Sequence, residues 1–250
     1  MTDKTATKDI AKAGAVDKVV PELVSLLEAG VHFGHERSKR NPKMEQFIFM
    51  QKGRVAIIDL EQTRQQLLEA ARYAGQVAAI PGSEILFVGT KRQARGIVKK
   101  YAEDLGQPYV TKRWLGGTLT NFATILKSIE KLEEMNRMEE SGQVAKLTKK
   151  ERAVHRKEIE RLEDVLEGIK GMRALPAALF LASVHNERTA VREAARMGIP
   201  VIGIADTNAD PTSIDYPISA NDDALRSIDL IVSVISKAIA AGKGQDFKVS

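Results

Sequence analysis

The sequence contains no cysteine among its 250 residues. That absence excludes disulfide bridges, zinc sites built on thiolates and cysteine nucleophiles, and it suits a reducing compartment. No apolar run is long enough to span a bilayer, and residues 1–18 lack the apolar stretch of a secretory signal. Aromatic residues are scarce at 5 %, with a single tryptophan, Trp114. These absences predict a cytoplasmic protein with no membrane partner.

Charge is the most informative feature of the composition. Lys and Arg number 38 against 33 Asp and Glu, which gives a net charge of +5 and a pI of about 9.3. The positive excess lies in the first 200 residues, whereas the last fifty are net negative. This asymmetry favours one surface for a polyanion and another for solvent or protein, although a lysine-rich surface that only maintains solubility has the same composition.

Short apolar runs alternate with amphipathic stretches through most of the chain. The strands predicted from these runs lie at 47–50, 55–58, 84–88, 109–110, 179–182 and 199–204. The predicted helices lie at 59–80, 91–105, 187–197 and from Asn221 or Asp222 to 241. A basic loop is expected at 31–43. Buried strands that alternate with helices predict an α/β protein with a doubly wound parallel sheet of about five strands.

Two charged helical stretches, 122–138 and 148–171, interrupt this alternation. Their apolar residues recur at steps of three and four: Ile125, Ile129, Leu132 and Met135, then Ile159, Leu162, Leu166 and Ile169. Stripes of this width predict an antiparallel coiled-coil hairpin at 119–171 with a thin apolar seam. We expect the hairpin to project from the sheet, because its helices are highly charged; the alternative is that both helices cover the sheet in the ordinary way. The remaining units are then a flexible arm at 1–20, an α/β domain at 21–118 and 172–242, and a C-terminal tail at 243–250.

Three segments carry groups that an enzyme uses, and each falls short of a site. Gly89 lies between a strand and a helix, where α/β proteins hold phosphate, but neither glycine-rich nucleotide motif is present. The spacing from Asp206 to Asp210 matches the start of a calcium-binding loop, but the residues that follow do not match the rest of that loop. The two aspartates are therefore only weak metal candidates. His32 and His35 lie among cations, which favours phosphate contact or loop packing over a metal. No cofactor is predicted.

Two basic segments suit a nucleic-acid backbone better. Four cations fall on one side of the predicted helix at 91–105: Lys91, Arg92, Arg95 and Lys99. Cations near a helix N-terminus suit phosphodiester groups, although a solvated charged face has the same pattern. Residues 112–118 combine two cations, Trp114 and two glycines, a composition that fits an irregular RNA surface. For Trp114, anchoring in the core is the alternative.

A series of motifs, in order and without large gaps from about residue 20 to 241, is similar to that of a known family. The motifs are LLEAGVHFGH (26–35), NPKM (41–44), FIF (47–49), FVGTK (87–91), RWLGGTLTNF (113–122), GIPVIG (198–203), DTNADP (206–211) and NDDA (221–224). The sequence thereby resembles the bacterial ribosomal protein S2 family.

The resemblance implies a flavodoxin-like α/β domain with an inserted helical hairpin and a structural, non-catalytic role. It implies binding to 16S ribosomal RNA between the head and body of the small ribosomal subunit, contact with other small-subunit proteins and support for docking of the messenger-binding protein S1. No DNA partner is implied. We expect RNA contacts from His32, Arg37, Lys39, Arg40, Asn41, Lys43, Lys91, Arg92, Arg95, Lys99, Lys112, Arg113, Trp114 and Asn121.

The chain departs from the family pattern at named positions. Arg40 stands where the family usually has Trp, which exchanges a stacking group for a charge. Ala177 and Ser183 stand where the family usually has Asp, which weakens any metal site shared with Asp206. The first twenty residues have no counterpart in the pattern.

Two other functions stay open on the sequence alone. A doubly wound enzyme acting on a phosphorylated small molecule would need a concave site near Gly89 and Asp206 that holds a titratable pair. An adaptor outside the ribosome would instead use the hairpin for protein contacts.

Overall fold

The computed structural model describes residues 19–142, 144 and 148–245. In these ranges the α-helices are α1 (Leu23–Glu28), α2 (Leu60–Ala78), α3 (Arg95–Asp104), α4 (Phe122–Glu140), α5 (Lys149–Leu166), α6 (Arg188–Met197) and α7 (Leu225–Lys243). The strands are β1 (Phe33–Glu36), β2 (Ile48–Lys52), β3 (Val55–Ile58), β4 (Ile85–Val88), β5 (Tyr109–Val110), β6 (Ala178–Leu181), β7 (Val201–Ala205) and β8 (Tyr216–Ser219). Most of the predicted arm and the end of the predicted tail lie outside the described residues. None of the helices described has both the length and the apolar character needed to cross a membrane.

Five parallel strands form the central sheet in the order β5-β4-β6-β7-β8. In chain order this is 2-1-3-4-5, the flavodoxin-like arrangement, so the predicted doubly wound sheet is confirmed. Every residue of β4, β6 and β7 is buried, as expected for parallel strands covered on both faces. The sequence does not predict the edge strand β8, because Pro217 interrupts a short segment that is flanked by the polar residues Asp215 and Ser219; an edge position tolerates the proline.

Side chains alternate across the sheet into two apolar layers. Phe87 and Phe180 lie in the first layer, which residues of α2, α3 and α7 complete. Leu86 and Leu179 lie in the second, together with residues of α4, α5 and α6. Because helices cover both faces, the polar chemistry of the sheet is confined to its ends.

A smaller antiparallel sheet, in the order β1-β3-β2, stands apart from the parallel one. Its strands β2 and β3 confirm the predicted strands at 47–50 and 55–58. β1 lies inside the segment 31–43, which the sequence predicts to be a loop. The strand is not apparent from the sequence because its four residues show no apolar alternation. Gly34 in β1 packs closely on Thr207 of the parallel-sheet domain, where a Cβ would approach the threonine Cγ2 to 2.5 Å. This contact seats β1 beside the end of β7.

The two charged helices α4 and α5 pack together as the predicted hairpin. The predicted seam is confirmed, since Ile125, Ile129, Leu132, Ile159, Leu162, Leu166 and Ile169 are buried and Met135 is partly buried. These residues share one apolar cluster with Leu86 and Val110 of the sheet. The hairpin is therefore anchored on the sheet at its base.

Two helices begin later than predicted, and both begin at the same end of the sheet. α3 begins at Arg95 rather than at Lys91, because the residues from 91 to 94 form a turn. α7 begins at Leu225, because the Asn221 Oδ1 atom accepts hydrogen bonds from backbone N–H groups of residues 223 and 224 and forms a turn before the helix.

Candidate nucleic-acid interface

The carboxyl ends of the parallel strands meet at one edge of the sheet, here called the carboxyl edge. Glu187, which follows β6, accepts hydrogen bonds from the Thr90 N and Oγ1 atoms, which follow β4, at 2.8 and 2.7 Å. The segment after β1 joins this edge because the Asn41 N–H donates to the Thr207 carbonyl at 2.8 Å. The carboxyl edge thus brings together three segments predicted to be basic: 37–43, 91–95 and 112–113.

Three carboxylates and two cationic side chains form an ion-pair network within this edge. The Lys91 Nζ atom lies 2.6 Å from Asp222 Oδ1 and 2.7 Å from Asp223 Oδ1. The His35 Nδ1 atom lies 3.1 Å from Asp206 Oδ1, and its Nε2 atom lies 3.2 Å from Asp223 Oδ2. Asp206 and Asp222 are each 1 % exposed, so their charge must be satisfied inside the protein.

The network sets the protonation of its members. The hydrogen bond to Asp206 raises the pKa of His35 above its ordinary value, and burial offsets this only in part. Burial lowers the pKa of Lys91, but Asp222 and Asp223 outweigh it, so the pKa is raised. Burial and the neighbouring Asp206 carboxylate raise the pKa of Asp222. The arrangement therefore favours a charged Lys91 and a protonated His35 against the carboxylates.

The sequence also marks Asp206 and Asp210 as weak metal candidates, and the structure separates their surroundings. Four network residues, Asp206 among them, each offer a ligand atom within 4.8 Å of the others, the one such group in the part of the chain described. The Lys91 ammonium already bonds two of its carboxylates. Asp210 is outside the group; its carboxylate accepts from Lys43 Nζ at 2.7 Å and from Thr212.

Half of the cations predicted to contact RNA are paired with carboxylates of the chain itself. Besides Lys91 with its two aspartates, the pairs are Arg40 with Glu45, Lys43 with Asp210 at 2.7 Å, Lys99 with Glu167 at 2.9 Å and Lys112 with Asp164 at 2.9 Å. Exposed ion pairs are weak, so Lys43, Lys99 and Lys112 stay available to another anion. The placement of Lys91 on an exposed helical face is wrong, because its side chain is 14 % exposed and precedes α3.

The other five cations that are predicted to contact RNA have no carboxylate within ion-pair distance among residues 19–142, 144 and 148–245. They are Arg37, Lys39, Arg92, Arg95 and Arg113, and all are exposed. The Arg95 side chain is held by a hydrogen bond from its Nε to the Thr90 carbonyl at 2.8 Å. These five groups leave exposed positive charge on the carboxyl edge, where Glu187 and Asp223 interact with Arg95 and Lys39 only from beyond ion-pair distance.

The predicted polar contacts occupy structural positions. His32 is half-buried against Phe33, with ring centroids 4.0 Å apart, and burial lowers its pKa. The Asn41 Oδ1 atom accepts from the Lys43 N–H at 3.0 Å and caps a 3-10 helix. Asn121 is exposed at the N-cap of α4, where its Oδ1 atom accepts a hydrogen bond from the Thr124 hydroxyl at 2.8 Å.

Trp114 lies in the loop of residues 111–121 between β5 and α4, here called the Trp114 loop. Its indole is 9 % exposed and belongs to the second apolar layer. The indole Nε1–H donates to the Glu193 carboxylate at 3.0 Å. The side chain therefore anchors the loop in the core and does not offer its ring as a stacking surface for bases.

A family model for ribosomal protein S2 matches residues 26–242. This chain belongs to the ribosomal protein S2 family. It is 49 % identical to the small ribosomal subunit protein uS2 of Salinibacter ruber (strain DSM 13855 / M31) over 220 residues, which cover 88 % of this chain and 68 % of that protein. As an S2-family member the chain is a structural constituent of the small ribosomal subunit and not an enzyme, as the motif resemblance implies.

The geometry at Gly89 agrees with a non-enzymatic S2-family protein. A Cβ on Gly89 would lie 2.7 Å from Val98 Cγ2, so the glycine allows the strand and helix to pack closely. The N–H of Thr90, which would face a phosphate in a nucleotide site, is bonded to the buried Glu187 carboxylate. A tight structural turn accounts for this motif without a nucleotide.

Among the buried carboxylates that hold the loops of this S2-family chain, the sequence marks only Asp206 as a site residue, namely as a weak metal candidate. It marks Asp222 only as a possible start of the last helix, and it gives no role to the Glu187 and Glu193 carboxylates. Glu193 had a usable signal, because it follows Ala190 by three residues and so falls on the apolar face of α6. A charged residue on a buried helix face requires polar partners elsewhere in the fold.

Proposed function

We propose that this S2-family chain binds 16S ribosomal RNA through its carboxyl edge, chiefly by contacts to phosphate and sugar. The observation that carries the proposal is the set of exposed cations without a carboxylate partner, Arg37, Lys39, Arg92, Arg95 and Arg113. Arginine and lysine release counterions when they neutralise phosphates, which drives association. Membership in a ribosomal protein family supports RNA as the polyanion.

The carboxyl edge supports recognition by shape as well as by charge. Its loops are cross-bonded to one another, through Glu187 and Thr90 and through Lys91 and Asp222. The cations are thus presented from a surface folded before the RNA arrives, which lowers the entropy lost on binding. Arginine groups on such a surface can bond phosphate oxygens with two N–H groups at once. The exposed pair between Lys112 and Asp164 can exchange its carboxylate for a phosphate.

Salt dependence of binding to 16S ribosomal RNA tests this proposal. We expect the affinity of the wild-type chain to fall steeply between about 50 and 200 mM salt, as counterion release requires. The double variant Arg92→Gln/Arg113→Gln should bind more weakly and lower the salt slope by about two, one for each lost phosphate contact. The matched control is Arg152→Gln/Arg156→Gln, which removes two exposed arginines from α5.

A flat salt dependence would contradict the proposal. So would an equal loss of affinity in the two double variants, since that would reduce the effect to net charge.

We further infer, from the family motifs, that the chain lies between the head and body of the small subunit, contacts other small-subunit proteins and supports docking of protein S1. Subunits assembled without the chain should then sediment with less S1. Adding back the wild-type chain should restore S1, and adding back the Arg92→Gln/Arg113→Gln variant should restore less. Full S1 occupancy without the chain would refute this assignment.

A further inference from the structure

One buried carboxylate holds the Trp114 loop in place. Glu193, on α6, accepts with Oε1 from the Trp114 indole N–H at 3.0 Å and from the Gly117 N–H at 2.8 Å. Its Oε2 accepts from the N–H groups of Leu119 at 3.0 Å and Thr120 at 3.2 Å, and from the Thr120 hydroxyl at 3.2 Å. A single side chain therefore satisfies donors along most of the loop.

Only an ionised carboxylate can make all of these bonds. Every partner of Glu193 donates, and a carboxylate is the one side chain with two acceptor oxygens and no donor. A glutamine would keep one acceptor oxygen and would point its NH2 group at donors on the other side. The loop N–H groups would then lose their acceptor at a site where Glu193 is 6 % exposed, and unsatisfied buried donors are costly.

The protonation of Glu193 agrees with this geometry. Burial raises the pKa of this carboxyl, but the hydrogen bonds from Trp114 and from the backbone of Gly117, Leu119 and Thr120 outweigh it, so the pKa lies below its ordinary value. The side chain is consequently ionised at neutral pH. Its negative charge lies beneath a loop whose second and third residues are the cations Lys112 and Arg113.

The loop that Glu193 holds carries part of the proposed RNA surface. Arg113 immediately precedes the anchored Trp114, is exposed and has no described carboxylate partner. Asn121 ends the loop at the N-cap of α4. Fixing the backbone between these residues fixes the direction in which both leave the surface.

We propose that Glu193 is a positioning residue for RNA binding, whose carboxylate holds the Trp114 loop in the conformation that presents Arg113 and Asn121 to RNA. The inference rests on the proposed RNA-binding function and extends it to a residue that does not touch the RNA itself. Its effect is transmitted through hydrogen bonds to the loop backbone.

The proposal has two halves: the carboxylate holds the Trp114 loop (the structural half), and the held loop strengthens RNA binding (the RNA half). The variant Glu193→Gln tests the structural half without any RNA. Trp114 is the only tryptophan, so its fluorescence reports on the loop alone. We expect a red-shifted emission and stronger quenching by acrylamide than in the wild type. Glu187→Gln is the matched control: Glu187 is also buried and lies just before the same helix, but it bonds Thr90 instead of the loop. That variant should leave Trp114 unchanged.

The RNA half is measured as affinity for 16S ribosomal RNA at fixed salt. Glu193→Gln should bind about tenfold more weakly, as expected when several charge-assisted hydrogen bonds that hold a binding loop are lost. Combining it with Arg113→Gln should add little, because both changes act on the same contact. If Glu193→Gln does not fold, Thr120→Val provides a milder test, because it removes only the hydroxyl contact to Glu193. Thr120→Val should change the Trp114 fluorescence and the RNA affinity in the same direction, but by less.

Two results would overturn the inference. An unchanged Trp114 signal in the folded Glu193→Gln chain would show that the carboxylate does not hold the loop. A changed Trp114 signal with wild-type RNA affinity, in a series where Arg113→Gln does weaken binding, would show that loop order does not position the arginine. Absence of RNA binding by the wild-type chain would instead overturn the proposed function and the RNA half with it, while the Trp114 signal would still decide the structural half.

Discussion

The carboxyl edge and the α4–α5 hairpin are both rich in charge, but they hold it differently. At the edge, Lys91 is 14 % exposed and contacts Asp222, which is 1 % exposed. On the hairpin, Lys131 is 56 % exposed and contacts Glu158, which is 26 % exposed, at 2.9 Å. The two pairs have similar geometry and opposite environments. Burial, rather than the number of charges, therefore separates a structural ion pair from a surface one.

Because of this difference, the two regions leave different amounts of unpaired positive charge on their surfaces. At the edge, Lys91 and His35 are committed to three aspartates, and these ion pairs tie strand β1 to the loops that follow β4, β7 and β8. Five other edge cations, Arg37, Lys39, Arg92, Arg95 and Arg113, are exposed and have no carboxylate within ion-pair distance among the described residues. On the hairpin, cations such as Arg161 have glutamates beside them, so little net charge is left there. The comparison predicts that stability depends on the edge network and that RNA affinity depends on the unpaired edge cations.

The largest effect is expected from Lys91→Met, which breaks the buried network. It leaves Asp222 buried without its cation and beside the Asp206 carboxylate, and removing one partner of a buried pair destabilises a fold by about 3 kcal/mol or more. Urea unfolding at pH 7 measures the free energy of unfolding directly.

The pH dependence of that loss provides a control within the same variant. The pKa of Asp222 is already raised by burial and by Asp206, and removal of the ammonium raises it further. Protonation of Asp222 at lower pH then relieves the unpaired charge, so the difference between variant and wild type should shrink from pH 7 towards pH 5. A difference that is small at pH 7, or constant with pH, would contradict the network.

The sequence predicted the fold better than it predicted this network, and the reason is physical. The apolar runs of β4, β6 and β7 and the seam of the hairpin are local patterns, so each element could be inferred from its own residues. The network joins residues that are far apart in the chain: Lys91 and Asp222 are separated by 131 positions. Nothing local to Lys91 distinguishes it from an exposed lysine.

Short polar strands were missed for a related reason. β1 and β8 are four residues long and show no clear strand pattern, since β1 is mostly polar and Pro217 interrupts β8; each pairs with a neighbouring strand that offers hydrogen bonds. Pairing of this kind depends on the assembled fold rather than on local propensity. The motif resemblance located the basic segments, but it did not distinguish Lys91, which is paired and buried, from Arg92, which is exposed.

An intermediate effect is expected from His35→Gln, which removes the titrating member of the edge network. Asp206, Asp222 and Asp223 surround His35, and the hydrogen bond to Asp206 is the main cause of its raised pKa. A raised folded pKa means that the stabilisation is complete below pH 6.5 and is lost as pH rises through the folded pKa.

Wild-type unfolding free energy should therefore fall between pH 6 and pH 8.5, and His35→Gln should flatten this slope. At pH 6 the variant should be less stable by about 1 kcal/mol, the usual value of one such hydrogen bond. Parallel slopes for the two proteins would mean that His35 does not titrate in the network.

The smallest effect is expected from Lys131→Met, the same substitution as at Lys91 but made on the hairpin. Glu158 also accepts from Arg161 at 2.9 and 3.0 Å, so loss of Lys131 leaves the carboxylate with a cation and with water. Solvent and salt screen an exposed pair, and the freed lysine rotamers compensate for much of what is lost. The urea midpoint should match the wild type within error, in low salt as in high salt. A loss close to that of Lys91→Met would mean that burial does not distinguish the two regions, and the contrast between edge and hairpin would fail.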